Sequence, residues 1–262
     1  MSQEMTPLMK ARVAFRLLFL QTGWEPARMQ ATGFLFALDP WLGACWGFES
    51  EELRRARLRH LEYFNTHPIA AWLLAGIVCR GEAAAAAVQG VQRQLAIEKI
   101  SRYKTDYGAS LAGIYDSLFW GALRPASAVV GILCAFLVVR LGIRFPFFVV
   151  GGAAALAAYN VPAFAARWIG FQRGLERGEN ALVDIASLGV QTWIVFLRRA
   201  TAAGAVLAGL LWASILEPRL LLAAVVSGAA GLALSWRGVE PLMQAGFVGA
   251  AAAAVSATGL WK

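Results

Sequence analysis

The sequence is short of charge and of the residues that build catalytic and redox sites. Only 15% of its 262 residues are charged, against about 25% in soluble domains, too few to cover a soluble globule of this size. It has 2 His and 3 Cys, and the Cys are too far apart for a CxxC pair. Phosphate-loop, zinc-peptidase and serine-hydrolase motifs are missing. We therefore expect no soluble enzyme, no disulfide scaffold, no cofactor and no metal site.

What the chain has in abundance is apolar residues, which make up 59% of it. The net charge of +8 is spread along the chain between apolar segments and forms no basic stripe. That distribution predicts contact with membrane lipid and no nucleic-acid binding. The composition therefore predicts an all-α integral membrane protein, and the ten Trp favour anchoring at the membrane interface over sugar stacking.

Most apolar segments are shorter than the roughly 20 residues that a straight span needs. Two of them, about 67–80 and 107–125, contain or adjoin Gly or Pro, which predicts re-entrant hairpins or broken helices. Both segments belong to a predicted membrane domain, 67–262. The whole chain is predicted to be one unit of a single protein family. The predicted transmembrane helices are at about 126–140, 145–166, 185–216, 219–236 and 241–261.

Residues 1–66 differ in character from the rest, because charged and apolar residues alternate there. Between Met9 and Leu20, Arg alternates with Phe, Leu and Val, which predicts an amphipathic helix at the membrane interface. The charged stretch from Glu49 to Arg59 predicts a surface helix with one apolar face and a solvated, non-catalytic charged face.

The first candidate site is the sequence Asn65-Thr66-His67-Pro68. Proline disfavours helix at the residue before it, so an apolar helix is expected to begin just after Pro68. The three polar side chains would then lie at a helix N-terminus and could bind a polar ligand. Simple capping of the helix by Asn65 or Thr66 is the alternative.

The second candidate site is the stretch 107–125, which carries Asp116, Ser117 and Arg124 among apolar residues. Ionisable side chains at membrane depth are costly, so each is a functional candidate with a nearby partner. Gly121 would let the chain reverse. A salt bridge between Asp116 and Arg124 that braces such a hairpin is an equally good interpretation.

Three sequence blocks resemble the IID component of bacterial mannose/fructose/sorbose-class sugar phosphotransferase systems. They are FLQ followed by WEPARMQ and GF between Phe19 and Phe34, RHLEYFNTHP at 59–68, and LAGI, DSLFWG and LRP between Leu111 and Pro125. Together they are specific to that family. The chain departs from the usual pattern at Ser110, where Pro is common, and at Tyr115, where Gly is common.

The resemblance implies a multi-pass subunit of the bacterial cytoplasmic membrane that pairs with a homologous IIC subunit in a trimer of pairs. The pair would carry a hexose or related sugar, which the cytoplasmic IIB and IIA phosphocarriers phosphorylate. No phosphorylated or self-sufficient catalytic residue is implied on this chain. Asn65, Thr66, His67, Asp116, Ser117 and Arg124 are expected to line the substrate pathway or brace a hairpin. A non-transporting structural or regulatory partner is the alternative, favoured by Ser110 and Tyr115.

Overall fold

The computed structural model describes residues 4–215. The chain divides into two units, Met1–Ala203 and Gly204–Lys262, and only residues 204–215 of the second are described. Across the described residues the named elements are all helices, which confirms the all-α class. They are α1 (Pro7–Leu17), α2 (Ala31–Trp46), α3 (Glu51–His60), α4 (Ala70–Ala86), α5 (Gly90–Tyr115), a π-helical segment (Asp116–Leu123), α6 (Arg124–Arg140), α7 (Phe147–Arg177), α8 (Asn180–Ser187) and α9 (Val190–Ala213).

The amphipathic helix predicted from Met9 to Leu20 is α1, which ends at Leu17. The Thr6 hydroxyl accepts a hydrogen bond from the Met9 amide at 3.3 Å and so caps the helix. Val13 and Leu17 are buried on one face. The predicted surface helix is α3, which also has one buried face, formed by Leu53, Ala56 and His60.

Helices α1 to α4, which we call the headpiece, enclose an apolar core. Every residue from Ala70 to Cys79 in α4 is buried, and the rings of Phe34 and Phe64 lie 4.1 Å apart between centroids. The sequence analysis did not identify α2 as a buried helix, because Asp39 and Pro40 interrupt its apolar pattern.

The hairpin predicted at 107–125 is wrong, because the chain stays helical from Gly90 to Arg140. The segment that contains Gly121 changes to π-helical geometry instead of reversing. Pro125, the second residue of α6, directly follows the π-helical segment and has no amide hydrogen to donate to a helical bond. The segment predicted at 67–80 forms most of α4, and its relation to the membrane stays a prediction.

Two pairs of glycines let long helices pack closely. A Cβ atom at Gly131 would lie 2.6 Å from the Gly151 carbonyl oxygen, where α6 and α7 cross. At the crossing of α4 and α7, a Cβ at Gly76 or Gly174 would collide with the backbone of the other helix. Side chains at these positions would force the helices apart, so the glycines fix both crossings.

Within residues 4–215, three helices are long and apolar enough to cross a membrane: Gly90–Arg140, Phe147–Arg177 and Val190–Ala213. They contain the spans predicted at 126–140 and, apart from its first residues, 145–166. The span predicted at 185–216 is divided at Gly189, whose positive φ of 58° separates α8 from α9. The spans predicted at 219–236 and 241–261 lie outside the described residues.

Candidate functional site

The first candidate sequence, Asn65 to His67, is held between the N-terminal region and the long helix. The Thr66 hydroxyl donates a hydrogen bond to the Gly108 carbonyl at 2.8 Å. The Gln30 side chain pairs with the Thr66 backbone: its amide donates to the carbonyl at 2.8 Å and its oxygen accepts from the amide at 3.1 Å. Asn65 is exposed. Thr66 therefore joins three parts of the chain. The alternative that Asn65 or Thr66 caps α4 is wrong, since the N-cap residue is Ile69 and no side-chain capping bond forms there.

His67 is buried among aromatic side chains of the second candidate stretch. Its ring centroid lies 4.8 Å from that of Trp120, 5.7 Å from that of Phe119 and 5.9 Å from that of Tyr115. The Ile69 amide donates to Nδ1 at 3.1 Å. Because Nδ1 accepts, the ring hydrogen is on Nε2, and this atom has no hydrogen-bond partner among residues 4–215.

The protonation state of His67 follows from its surroundings. Burial, assisted by the charge of Arg167, lowers the pKa of His67 to about 4. The imidazole is therefore neutral near pH 7. It presents one unused N–H donor inside an aromatic shell.

Asp116 and Ser117 begin the π-helical segment, a geometry often found at functional sites. Ser117 lines a cavity of about 430 Å³ between α5 and the α8–α9 region, together with Ser110, Tyr107 and Gln191. The half-buried Asp116 makes no ion pair with any described residue. The two sequence blocks thus meet at His67, but the Asp116–Arg124 salt bridge predicted to brace a hairpin does not form.

Arg124 is exposed and belongs to neither the cavity nor the aromatic shell around His67. It begins α6, one helical turn beyond Gly121. A Cβ at Gly121 would lie 3.2 Å from an Arg198 guanidinium nitrogen. Arg198 of α9, not Asp116, is thus the charged group beside this part of the helix.

The chain matches the family model of the "PTS system mannose/fructose/sorbose family IID component" over residues 5–233. The chain belongs to the IID component family. It is 29% identical over 177 residues to the mannose-specific EIID component of Escherichia coli (strain K12), which is 66% of this chain and 56% of the relative. The chain thus spans little more than half of that relative's length.

Other IID proteins and two solved structures are also similar. The sorbose-specific EIID component of Lacticaseibacillus casei is 27% identical over 213 residues, 80% of this chain and 70% of that protein. A chain of the mannose transporter ManYZ, solved in complex with microcin E492, gives a TM-score of 0.58 at 22% identity. A chain described as a membrane protein gives 0.69 at 21% identity. Each of the two comparisons covers 98% of this chain and 98% of the solved chain, and both solved chains share the fold of this chain.

In this IID chain the three family blocks converge in space. Gln30 belongs to the first block, Thr66 and His67 to the second, and Phe119 and Trp120 to the third. Tyr115, which stands where the family commonly has Gly, is buried and stacks on Phe119 at 5.6 Å between ring centroids. Because the three blocks are in contact, family residues that are far apart in the sequence belong to one site in the structure.

A second polar cluster was missed by the sequence analysis. Glu82 of α4 is fully buried and accepts hydrogen bonds from Arg59, from His60 Nε2 at 2.9 Å and from Trp46 Nε1 at 2.7 Å. Lys104 of α5 donates to the Arg59 carbonyl at 2.5 Å. The prediction that Arg59 belongs to a solvated face is wrong, since its side chain is only 10% exposed. The single acid in an Ala-rich helix was the available signal.

Electrostatics keep the Glu82 cluster ionised. Burial alone would raise the pKa of Glu82, but the hydrogen bonds and charges of His60 and Arg59 outweigh it and lower the pKa to about 2. Burial lowers the pKa of His60, so its neutral ring donates to the carboxylate. The cluster stabilises the contact of α3 with α4, and among residues 4–215 no group of three or more His, Cys, Asp or Glu could hold a metal ion.

Proposed function

We propose that this IID chain pairs with a IIC membrane subunit to form the sugar pathway of a phosphotransferase permease. The relatives named above are IID components of mannose and sorbose systems. The observation that carries the proposal is the convergence of all three family blocks at His67, beside the membrane-spanning helices. The proposed partners are a trimer of IIC/IID pairs, with cytoplasmic IIB and IIA proteins supplying the phosphoryl group to a hexose or related sugar.

Aromatic residues support a placement of this chain in the membrane. Exposed Trp168 of α7 lies about 20 residues from exposed Phe148 at its other end, which is about 30 Å of helix and matches the hydrocarbon thickness. Exposed Trp120 lies a similar distance from Leu141 at the end of α6. We propose that Trp120, Trp168 and Trp193, which are all exposed, lie at one level, which we call the Trp belt. It marks one lipid–water interface.

This placement puts the headpiece outside the hydrocarbon layer. Gly76 of α4 meets α7 at Phe171 and Gly174, beyond the Trp belt. The part of α5 that packs on α4 carries Arg93, Lys99 and other charges that lipid tails would not accept. We therefore propose a multi-pass protein of the bacterial cytoplasmic membrane with its basic headpiece on the cytoplasmic side, and this placement replaces the re-entrant segment expected at 67–80.

The polar groups at the Trp belt suit a sugar path. A sugar hydroxyl can accept from the unused His67 Nε2–H. Ser117 would donate from the wall of its cavity, and Asp116 would accept two hydroxyl hydrogens. Thr66 positions His67, and we propose that the exposed Asn65 lies at the rim of the path, whereas the exposed Arg124 lies outside it.

Sugar uptake by the reconstituted system tests this proposal. The chain is co-expressed with IIC, IIB and IIA proteins of a mannose-class system, and phosphoenolpyruvate-dependent uptake of hexoses is measured. Asp116→Asn should abolish uptake while the IIC/IID complex still assembles. Asp106→Asn, which changes an exposed acid on α5, is the matched control and should leave uptake intact.

Two results would contradict the proposal. Unchanged uptake with Asp116→Asn would remove Asp116 from the path. A wild-type complex that assembles but moves none of the sugars would instead leave a structural or regulatory role for the chain.

A further inference from the structure

We propose that Arg124 and Arg198 form a binding site for the phosphate of an anionic phospholipid. The two arginines belong to different helices, α6 and α9, and meet at Gly121 of the π-helical segment. The inference rests on the membrane placement proposed above and concerns a ligand other than the transported sugar.

Gly121 connects the two arginines. The Arg198 guanidinium lies over this glycine, since a Cβ there would be 3.2 Å from an Arg198 guanidinium nitrogen. Arg124 follows Gly121 by only three positions and is exposed. The glycine thus leaves room for the side chain of Arg198 within three residues of Arg124, and we infer that both guanidinium groups can reach one phosphate.

Neither arginine is neutralised by an acid in the described part of the chain. Both side chains are exposed, and no ion pair joins either of them to a carboxylate of residues 4–215. Asp116, about two helical turns before Arg124, pairs with neither. Two unpaired positive charges at one place require a negative ligand, because ionised groups next to lipid tails are otherwise expensive.

The position of the two arginines relative to the membrane surface indicates which ligand they bind. Trp120, which is 48% exposed, precedes Gly121 directly and belongs to the Trp belt. Phospholipid phosphates lie at that level, and guanidinium groups bind phosphate oxygens through two parallel hydrogen bonds. A basic site between membrane helices on the cytoplasmic side is the known form of anionic-lipid recognition.

Native mass spectrometry of the full-length chain measures this preference. Purified protein is titrated with phosphatidylglycerol and with phosphatidylcholine of identical acyl chains, and the ratio of the two affinities is compared between variants. Each basic residue near a membrane surface contributes about fivefold. Arg124→Gln and Arg198→Gln should each lower the ratio about fivefold, and the double variant about 25-fold.

Matched variants distinguish the effect of losing the charge from the effects of losing the fold and of the position of the residue. Arg102→Gln removes an exposed arginine of α5 outside the Trp belt and should leave the ratio unchanged. Arg124→Lys with Arg198→Lys keeps both charges but not the paired guanidinium hydrogen bonds, so its ratio should lie between those of the wild type and the Gln double variant, which distinguishes a lost fold from a lost ligand. Equal ratios in the wild type and the Gln double variant would overturn the inference, as would an equal effect of Arg102→Gln.

Two further measurements test whether the arginines bind free phosphate or a protein partner instead of a lipid. Release of phosphatidylglycerol by excess inorganic phosphate would indicate a free-phosphate site and overturn the lipid assignment. Loss of IIC association in the Gln double variant, with its lipid ratio unchanged, would assign the arginines to a protein interface and also overturn it. Sugar uptake measured in parallel keeps the two proposals apart: a chain that never supports uptake refutes the transport function but not the lipid site.

Discussion

The headpiece and the α6–α7 pair use similar apolar residues in opposite ways. In α4 the ten residues from Ala70 to Cys79 are all buried within the chain. In the most apolar 18-residue window of α7 only 11% of the residues are buried. The headpiece therefore has a core of its own, as a soluble domain has, whereas α7 presents its apolar surface to lipid or to a partner subunit. Hydrophobicity alone does not distinguish the two, but burial does.

The strongest test of the comparison is a large side chain at the α4–α7 crossing. In Gly174→Leu the new side chain would collide with the backbone of α4, including the Ile77 amide nitrogen at 2.8 Å from the Cβ position. We expect a loss beyond the roughly 3 kcal/mol typical of overpacked cores and no stable headpiece. Yield and thermal unfolding in detergent measure it. Gly152→Leu, on the same helix with nothing within 4 Å, should be tolerated; equal damage by both would contradict the proposed crossing.

The next largest effect is expected at the buried carboxylate of the headpiece. Glu82→Gln leaves Arg59 without its charge partner in a buried site, which should cost about 3–5 kcal/mol of the free energy of unfolding. Chemical denaturation followed by circular dichroism gives the value. Glu51→Gln breaks an exposed ion pair with Arg54 and serves as control. If the two variants were equally stable, the Glu82 cluster would not hold α3 on α4.

One leucine from each region sharpens the comparison directly. Leu73 of α4 is fully buried, and Leu156 of α7 is 65% exposed. Leu73→Ala should destabilise the protein by about 2–5 kcal/mol, and Leu156→Ala by no more than about 0.5 kcal/mol. Unfolding in detergent compares them. A large effect of Leu156→Ala would mean that the outer face of α7 is packed on protein.

The smallest expected effect is a pH dependence at the boundary of the two regions. The pKa of His67 is about 4, below its ordinary value of 6.5. Its neutral form therefore contributes stability that is complete above pH 6.5 and is lost as the pH falls towards 4. The loss is on the order of 1–2 kcal/mol by about pH 5. The midpoint temperature of thermal unfolding should fall less steeply across this pH range in His67→Gln than in the wild type.

His60 provides the internal control for that experiment. Its pKa is also lowered, by burial, so part of the acid sensitivity should persist in His67→Gln. An unchanged decline in His67→Gln would show that His67 does not titrate in this range.

Sequence reasoning predicted the local features of the candidate site better than its geometry. Pro68 indicated a new helix, and α4 begins two residues later. Gly121 and Asp116 suggested a hairpin, yet the chain continues as a π-helix. A glycine permits a reversal but does not require one, and the packing of neighbouring helices decided the outcome. Glu82 was missed because its partners come from α2 and α3, which no local pattern connects to α4.

By itself, the sequence determined that this is a membrane protein, that it is helical and to which family it belongs. Those depend on composition, on local periodicity and on motif residues such as Thr66 and His67, all of which are local properties. Only the tertiary structure decided which apolar helices have a core, since burial depends on residues far apart in the chain. It also decided that the side chain of Arg198, and not that of Asp116, lies beside Gly121. Charge pairs depend on distances between helices, and those distances are fixed by packing at residues such as Gly76 and Gly174.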